Sequence, residues 1–116
     1  MSQLEEQMAL QIKAARLPKP QREVAGLVDG RKFRVDFYWP WHSIERMVDA
    51  DELRGVVLEV DGGTWSGGRH TRGKGFEADC EKTNLLALQG YLVLRVTRTH
   101  VEDGRALAWV REALGR

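Results

Sequence analysis

Cysteine is almost absent: Cys80 stands alone in 116 residues, so the chain can form neither an internal disulfide nor a multi-cysteine zinc site. Cys80 reads as a helix-face residue. Proline is confined to Pro18, Pro20 and Pro40, which mark element ends rather than a proline-rich linker. Excess charge of either sign is missing as well. With 18 Lys and Arg against 17 Asp and Glu, the net charge is +1, so any basic surface for nucleic acid has to be local. No apolar run approaches the ~20 residues of a membrane helix, and the acidic start Leu4-Glu5-Glu6 lacks the positive flank of a signal peptide. A cytoplasmic protein is the expectation. There is no internal repeat and no low-complexity tract. What remains is 42% hydrophobic and 30% charged, the composition of one globular domain spanning residues 1–116.

The organising stretch is Val56-Val57-Leu58-Glu59-Val60-Asp61-Gly62-Gly63. A short β-branched and aliphatic run closed by two glycines predicts a buried strand that leaves the core into a loop. Strand side chains alternate, so Glu59 and Asp61 leave on the same face, roughly 6.5–7 Å apart. Two adjacent carboxylates at a buried strand end need compensation. A divalent metal held by oxygen ligands supplies it; so would a solvated strand end, or pairing with Arg69, Arg72 and Lys74.

Around this strand the pattern predicts a helix from Ser2 to Arg16, with Ser2 and Glu5 at capping-box spacing and Leu4, Met8, Ile12 and Ala15 on one stripe. A hairpin follows, with strands Val24–Val28 and Lys32–Trp39 joined by a tight turn at Asp29-Gly30. Its second strand places Phe33, Val35, Phe37 and Trp39 on one face and Lys32, Arg34, Asp36 and Tyr38 on the other. Aspartate is disfavoured within strands, so Asp36 is either paired with a base such as Arg34 or a metal ligand beside the strand at 56–60.

Residues 41–54, with Ile44, Met47, Val48 and Leu53, read as a short amphipathic excursion, in which His42 is isolated and left out of the site. The stretch Thr64–Gly75 combines glycines with Arg69, His70, Arg72 and Lys74, a loop suited to phosphate contact. A helix from Phe76 to about Gln89, with Gly90 as its C-terminal stop, is expected to turn Phe76, Cys80, Ala87, Leu88 and part of Leu85 to the core, with Asp79, Lys82 and Leu86 on another face. Tyr91–Val96 reads as a fully covered central strand, completing a βαβ unit with residues 56–60. A last helix runs from Asp103, its candidate cap, to Leu114.

In this order, α-β-β-(α)-β-α-β-α, the chain resembles the PD-(D/E)XK nucleases. The segments Arg34-Val-Asp36-Phe-Tyr-Trp-Pro40 and Leu58-Glu59-Val-Asp61-Gly-Gly63, then Asp79 and Gly90-Tyr-Leu-Val-Leu-Arg95-Val, are similar to small domains related to very-short-patch repair endonucleases. Gly62-Gly-Thr-Trp65 with His70 is similar to the glycine, tryptophan and histidine cluster of those enzymes, and the run from Gly62 to Lys82 resembles small phage-encoded nuclease-like proteins. The resemblance implies an α/β fold with a restriction-endonuclease-like core: a mixed sheet of about four strands flanked by helices.

It also implies hydrolysis of DNA phosphodiester bonds in phage or bacterial DNA processing, on duplex or branched DNA, by a chain for which a homodimer is an option. Asp36 and Glu59 match the family's first and second motif acids and would bind Mg²⁺ or Mn²⁺, with the Val60 carbonyl as a third ligand. Asp61 occupies the place of the motif lysine. Either Asp61 helps to hold a second metal, or Lys82 reaches in from the helix, or His70 acts as base; Lys82 is the preferred substitute. Glu6, with Glu5 as its rival, corresponds to the acid that some members supply from the first helix. Arg34, Arg69, Arg72 and Lys74 are the expected nucleic-acid contacts. The alternative is a catalytically silent nucleic-acid-binding module of the same fold.

Overall fold

A computed structural model describes residues 2–45, 53–62 and 68–116, except for the side chains of 68–72 and 74. The first helix, α1 (Gln3–Ala14), starts where the Ser2 hydroxyl accepts the Glu5 N–H at 3.0 Å. Its stripe Leu4, Met8 and Ile12 is buried, as the 3.6-residue period predicts.

Strands β1 (Gln21–Ala25) and β2 (Arg34–Pro40) pair antiparallel, with Val24 opposite Val35. The predicted turn does form at Asp29-Gly30, where the Arg31 N–H meets the Val28 carbonyl at 3.1 Å. The ladder, however, stops at Ala25 and resumes at Arg34, so residues 26–33 make a longer connection than the two-residue hairpin turn expected. Val28 leaves the ladder to pack against Val35, Val57, Leu86 and Tyr91, with Leu27 and Phe33 beside it. Burying these side chains outweighs a longer hairpin.

Strand β3 (Gly55–Val60) lies antiparallel to β2, with Phe37 opposite Leu58, and parallel to β4 (Tyr91–Val96), with Glu59 opposite Arg95. The result is an α/β fold with a mixed sheet in the order β1-β2-β3-β4. The fully covered strand is β3, whose Gly55–Leu58 are all buried. β4, predicted to be central, is an edge strand. Its apolar run has another cause: it packs against α2 (Gly68–Leu88) and against α3 (Arg98–Glu102) with α4 (Arg105–Leu114).

The larger core joins α1, α3 and α4 to one sheet face through Phe37, Trp39, Val56, Leu58, Val101, Val110 and Leu114. The smaller core sets α2 on the other face through Leu86, Val57 and Tyr91. Two expectations for α2 are corrected. The helix starts at Gly68 rather than Phe76, so Arg69, His70, Arg72 and Lys74 occupy helical positions and not a loop. No proline interrupts them, and each helical glycine costs about 1 kcal/mol, which the packed C-terminal half sustains. Its inward face is also inverted: Phe76, Cys80, Ala87 and Leu88 are exposed, whereas Leu86 is fully buried and Asp79 and Lys82 turn toward the sheet. The sheet beneath carries Glu59 and Arg95, and covering charged groups demands opposite charges above them.

The C-terminal helix expected from Asp103 to Leu114 is α4; the sequence reading lacked the short α3 that precedes it, from which α4 is separated at Gly104, whose φ of +89° suits glycine. Asp103 acts as a cap, its Oδ1 accepting the Arg105 N–H at 3.1 Å. In the excursion, Trp41–Ser43 form a 3₁₀ turn and Ile44 is buried, while Met47 and Val48 lie outside the described residues. At Gly62 a Cβ would stand 2.0 Å from Leu4 Cδ2, so a side chain there would force the end of Leu4 to shift where α1 closes against the end of β3. Among the described residues no helix is long and apolar enough to cross a membrane.

Candidate functional site

The sheet brings charged residues together at one end. Glu59 of β3 is directly opposite Arg95 of β4, Asp36 of β2 lies just beyond the last β2–β3 pair, and Glu23 of β1 stands between the pairs Arg22–Phe37 and Val24–Val35. Adjoining strands thus gather charges that are far apart in sequence. The β2–β3 pairing stops at Phe37 and Leu58, and beyond it Asp36 Oδ2 accepts the Val60 N–H at 2.8 Å. That bond fixes the Asp36 carboxylate at the strand end.

A polar cleft of about 230 Å³ opens over this end of the sheet, lined by Asp36, Glu59, Val60, Asp61, Asp79, Lys82 and Arg95. Lys82 descends from α2 and contacts both Glu59 Oε1 and the Arg34 carbonyl, with its ammonium also 5.8 Å from the Phe33 ring centre. Glu59 Oε1 is buried, and the Lys82 ammonium in direct contact with it compensates its charge. Burial raises the Glu59 carboxyl from 4.5 to about 7, with Asp36 adding repulsion and Lys82 opposing the rise. Glu59 is thus poised to gain or lose a proton near neutrality.

On the other side, Arg95 donates to Asp61 Oδ2 at 3.1 Å, to Asp79 Oδ2 at 3.2 Å and to Thr83 Oγ1 at 3.4 Å. One guanidinium therefore ties the end of β3 to α2. Among the described residues, four carboxylates face two cations in the cleft, which leaves two negative charges in excess when all are ionised. One divalent cation would balance them.

Asp36 also faces α1. One carboxylate oxygen each from Glu5, Glu23 and Asp36 lie within 4.8 Å of one another. Glu23 reaches this cluster from a left-handed backbone, φ +51°, a conformation that non-glycine residues adopt at about 1–3 kcal/mol. Glu5 is 6% exposed, and its pKa is raised by burial and by a hydrogen bond shared with Glu23, against the lowering effect of Arg22. Arg22 donates to Glu5 at 3.1 Å and also pairs with Glu6.

The expected residues fall accordingly. Asp36, Glu59, Val60, Asp61 and Lys82 meet in one cleft. Glu6 does not join them: it is exposed on the Arg22 pair, and its neighbour Glu5 is the α1 acid that reaches Asp36. Asp61 is held by Arg95 and stands apart from the cluster of Glu5, Glu23 and Asp36. The Arg34 side chain is exposed beside the cleft, its carbonyl engaged by Lys82. Arg69, His70, Arg72 and Lys74 are placed by their backbone on the first turns of α2, and their side chains lie outside the described residues.

Sequence reasoning did not assign Arg95, Asp79 or Glu23 to the site, and it named Glu5 only as the rival of Glu6. A charged residue inside the apolar run Tyr91–Val96 was the available signal for Arg95, because such a residue needs a partner. Nothing local marked Glu23, whose position depends on the register.

The oxygen donors present, carboxylates with the Val60 main chain nearby, together with the buried Glu59 oxygen, suit a hard divalent cation. Compared with protein-family models, curated proteins and solved structures, the chain has no significant match in any of the three.

Proposed function

We propose that the chain is a metal-dependent endonuclease of the PD-(D/E)XK type, with a restriction-endonuclease-like core, hydrolysing DNA phosphodiester bonds with Mg²⁺ or Mn²⁺. The observation that carries this reading is the cleft itself: Asp36 and Glu59 side by side on adjoining strands, a lysine from α2 between them and solvent, and an excess of two negative charges. Asp36 and Glu59 would hold the cation, with the Val60 carbonyl as a third donor. Bound there, it would lower the pKa of a coordinated water and stabilise charge on the phosphoryl oxygens.

The remaining roles belong to the chain. Lys82 supplies the positive charge that the family's strand motif places where this chain has Asp61, and it stabilises negative charge developing on the phosphate. Asp36, fixed by the Val60 N–H, keeps its geometry without substrate. Arg95 neutralises Asp61 and Asp79, so that α2 holds Lys82 over the cleft.

The test is a calorimetric Mn²⁺ titration of wild type, Asp36→Ala and Glu59→Ala beside a plasmid-nicking assay. Both variants are expected to lose metal affinity by about 100-fold or more and to lose nicking with it. Full nicking in both variants refutes the assignment. Metal binding by wild type without nicking moves the protein to the alternative, a silent nucleic-acid-binding module, which the aspartate at the lysine position favours.

A further inference from the structure

A second concavity, of about 310 Å³, lies between the C-terminal half of α1 and the start of β1. Ala9, Ile12, Leu17 and Pro20 make its apolar floor, and Lys13, Lys19 and Arg22 its rim. Among the described residues no carboxylate lines it. Lys13 and Lys19 are exposed and make no ion pair among the described residues.

Arg22 connects this cleft to the candidate site, because it pairs with Glu5, and Glu5 meets Asp36. Lys13 is eight residues along α1 from Glu5, about 12 Å by helix rise. That is the length of about three to four nucleotides of a duplex strand.

We propose that this cleft receives an unpaired nucleotide of the strand bound at the Asp36–Glu59 site, its base on the apolar floor and its flanking phosphates on Lys13 and Lys19. The inference rests on the nuclease reading and deepens it by naming the substrate class: DNA in which duplex meets single strand. A duplex keeps its base faces stacked against one another, whereas an unpaired base has a face to bury on such a surface. An acidic peptide would satisfy the lysines equally, but continuity with the carboxylate site favours the substrate strand.

The experiment is fluorescence anisotropy with a forked duplex carrying single-stranded arms and with a blunt duplex of the same sequence. Wild type, Ala9→Phe, which fills the floor, and Lys13→Ala/Lys19→Ala, which changes only exposed side chains, are compared, with circular dichroism reporting the fold. Wild type is expected to prefer the fork by about tenfold, and both variants to lose most of that preference, on the scale of one base contact. The lysine variant carries the test if Ala9→Phe misfolds. An unchanged preference in the folded variants overturns the cleft assignment and leaves the nuclease reading intact. Equal wild-type affinity for fork and blunt duplex also overturns it. Absence of DNA binding to either probe, or equal competition by polyglutamate, overturns it together with the assignment of DNA as the ligand.

Discussion

Replacing Glu59 with glutamine is expected to stabilise the metal-free protein at alkaline pH while destroying its metal site. The Glu59 carboxyl titrates at about 7 in the folded chain against 4.5 for the ordinary group, because burial disfavours its charge. A raised carboxyl holds its proton in the native state after the unfolded chain has released it, so between about 4.5 and 7 the native state binds more protons and stability falls as pH rises. The full penalty is absent below about 4.5 and complete above about 7. Roughly 2.5 pH units at 1.36 kcal/mol each set an upper limit of about 3 kcal/mol. Glutamine retains the shape and cannot ionise, but it leaves Lys82 with only the Arg34 carbonyl and the Phe33 ring. That loss trims the expected gain at pH 8 to about 1–2 kcal/mol. Urea unfolding at pH 4.5 and pH 8, followed by the fluorescence of buried Trp39, measures it. A Glu59→Gln effect that is the same at both pH values, or destabilising at pH 8, refutes the reasoning.

Two further substitutions probe what holds the site together. Arg95→Met leaves Asp61 and Asp79 without their shared partner; because the pair is half-exposed, a loss of only about 1–2 kcal/mol is expected in urea unfolding, accompanied by weaker Mn²⁺ binding as α2 loosens. Unaltered stability and metal affinity would show that Arg95 does not position α2. Gly62→Ala forces a Cβ against Leu4 and is expected to destabilise by about 1–3 kcal/mol, with partial recovery in Gly62→Ala/Leu4→Ala. A neutral Gly62→Ala would mean that α1 does not close tightly on β3.

Local chemistry made much of the architecture readable. The stripe Leu4, Met8 and Ile12 set α1, the run 56–60 set the covered strand, and Gly90, with φ +97°, ended α2 close to where its glycine suggested. The same period-of-two argument placed Glu59 and Asp61 on one face, and both line the cleft. For α2 the helical pattern suggests an apolar inward face, yet the sheet beneath is charged, and Asp79 and Lys82 turn inward to meet it.

The sequence by itself determined the element types, the mixed hydrophobic and acidic character of the strand at 56–60 and the pairing of Glu59 with Asp61 on one face, because these follow from periodicities of a few residues. Only the tertiary structure decided that Asp36, Glu59 and Arg95 line one cleft, that Glu5 rather than Glu6 joins Glu23 and Asp36, and that Lys82 and Arg95 divide the carboxylates between them. Those outcomes depend on strand register and on which face a helix buries. Both are settled by the summed packing of distant segments, which no local stretch of the chain encodes.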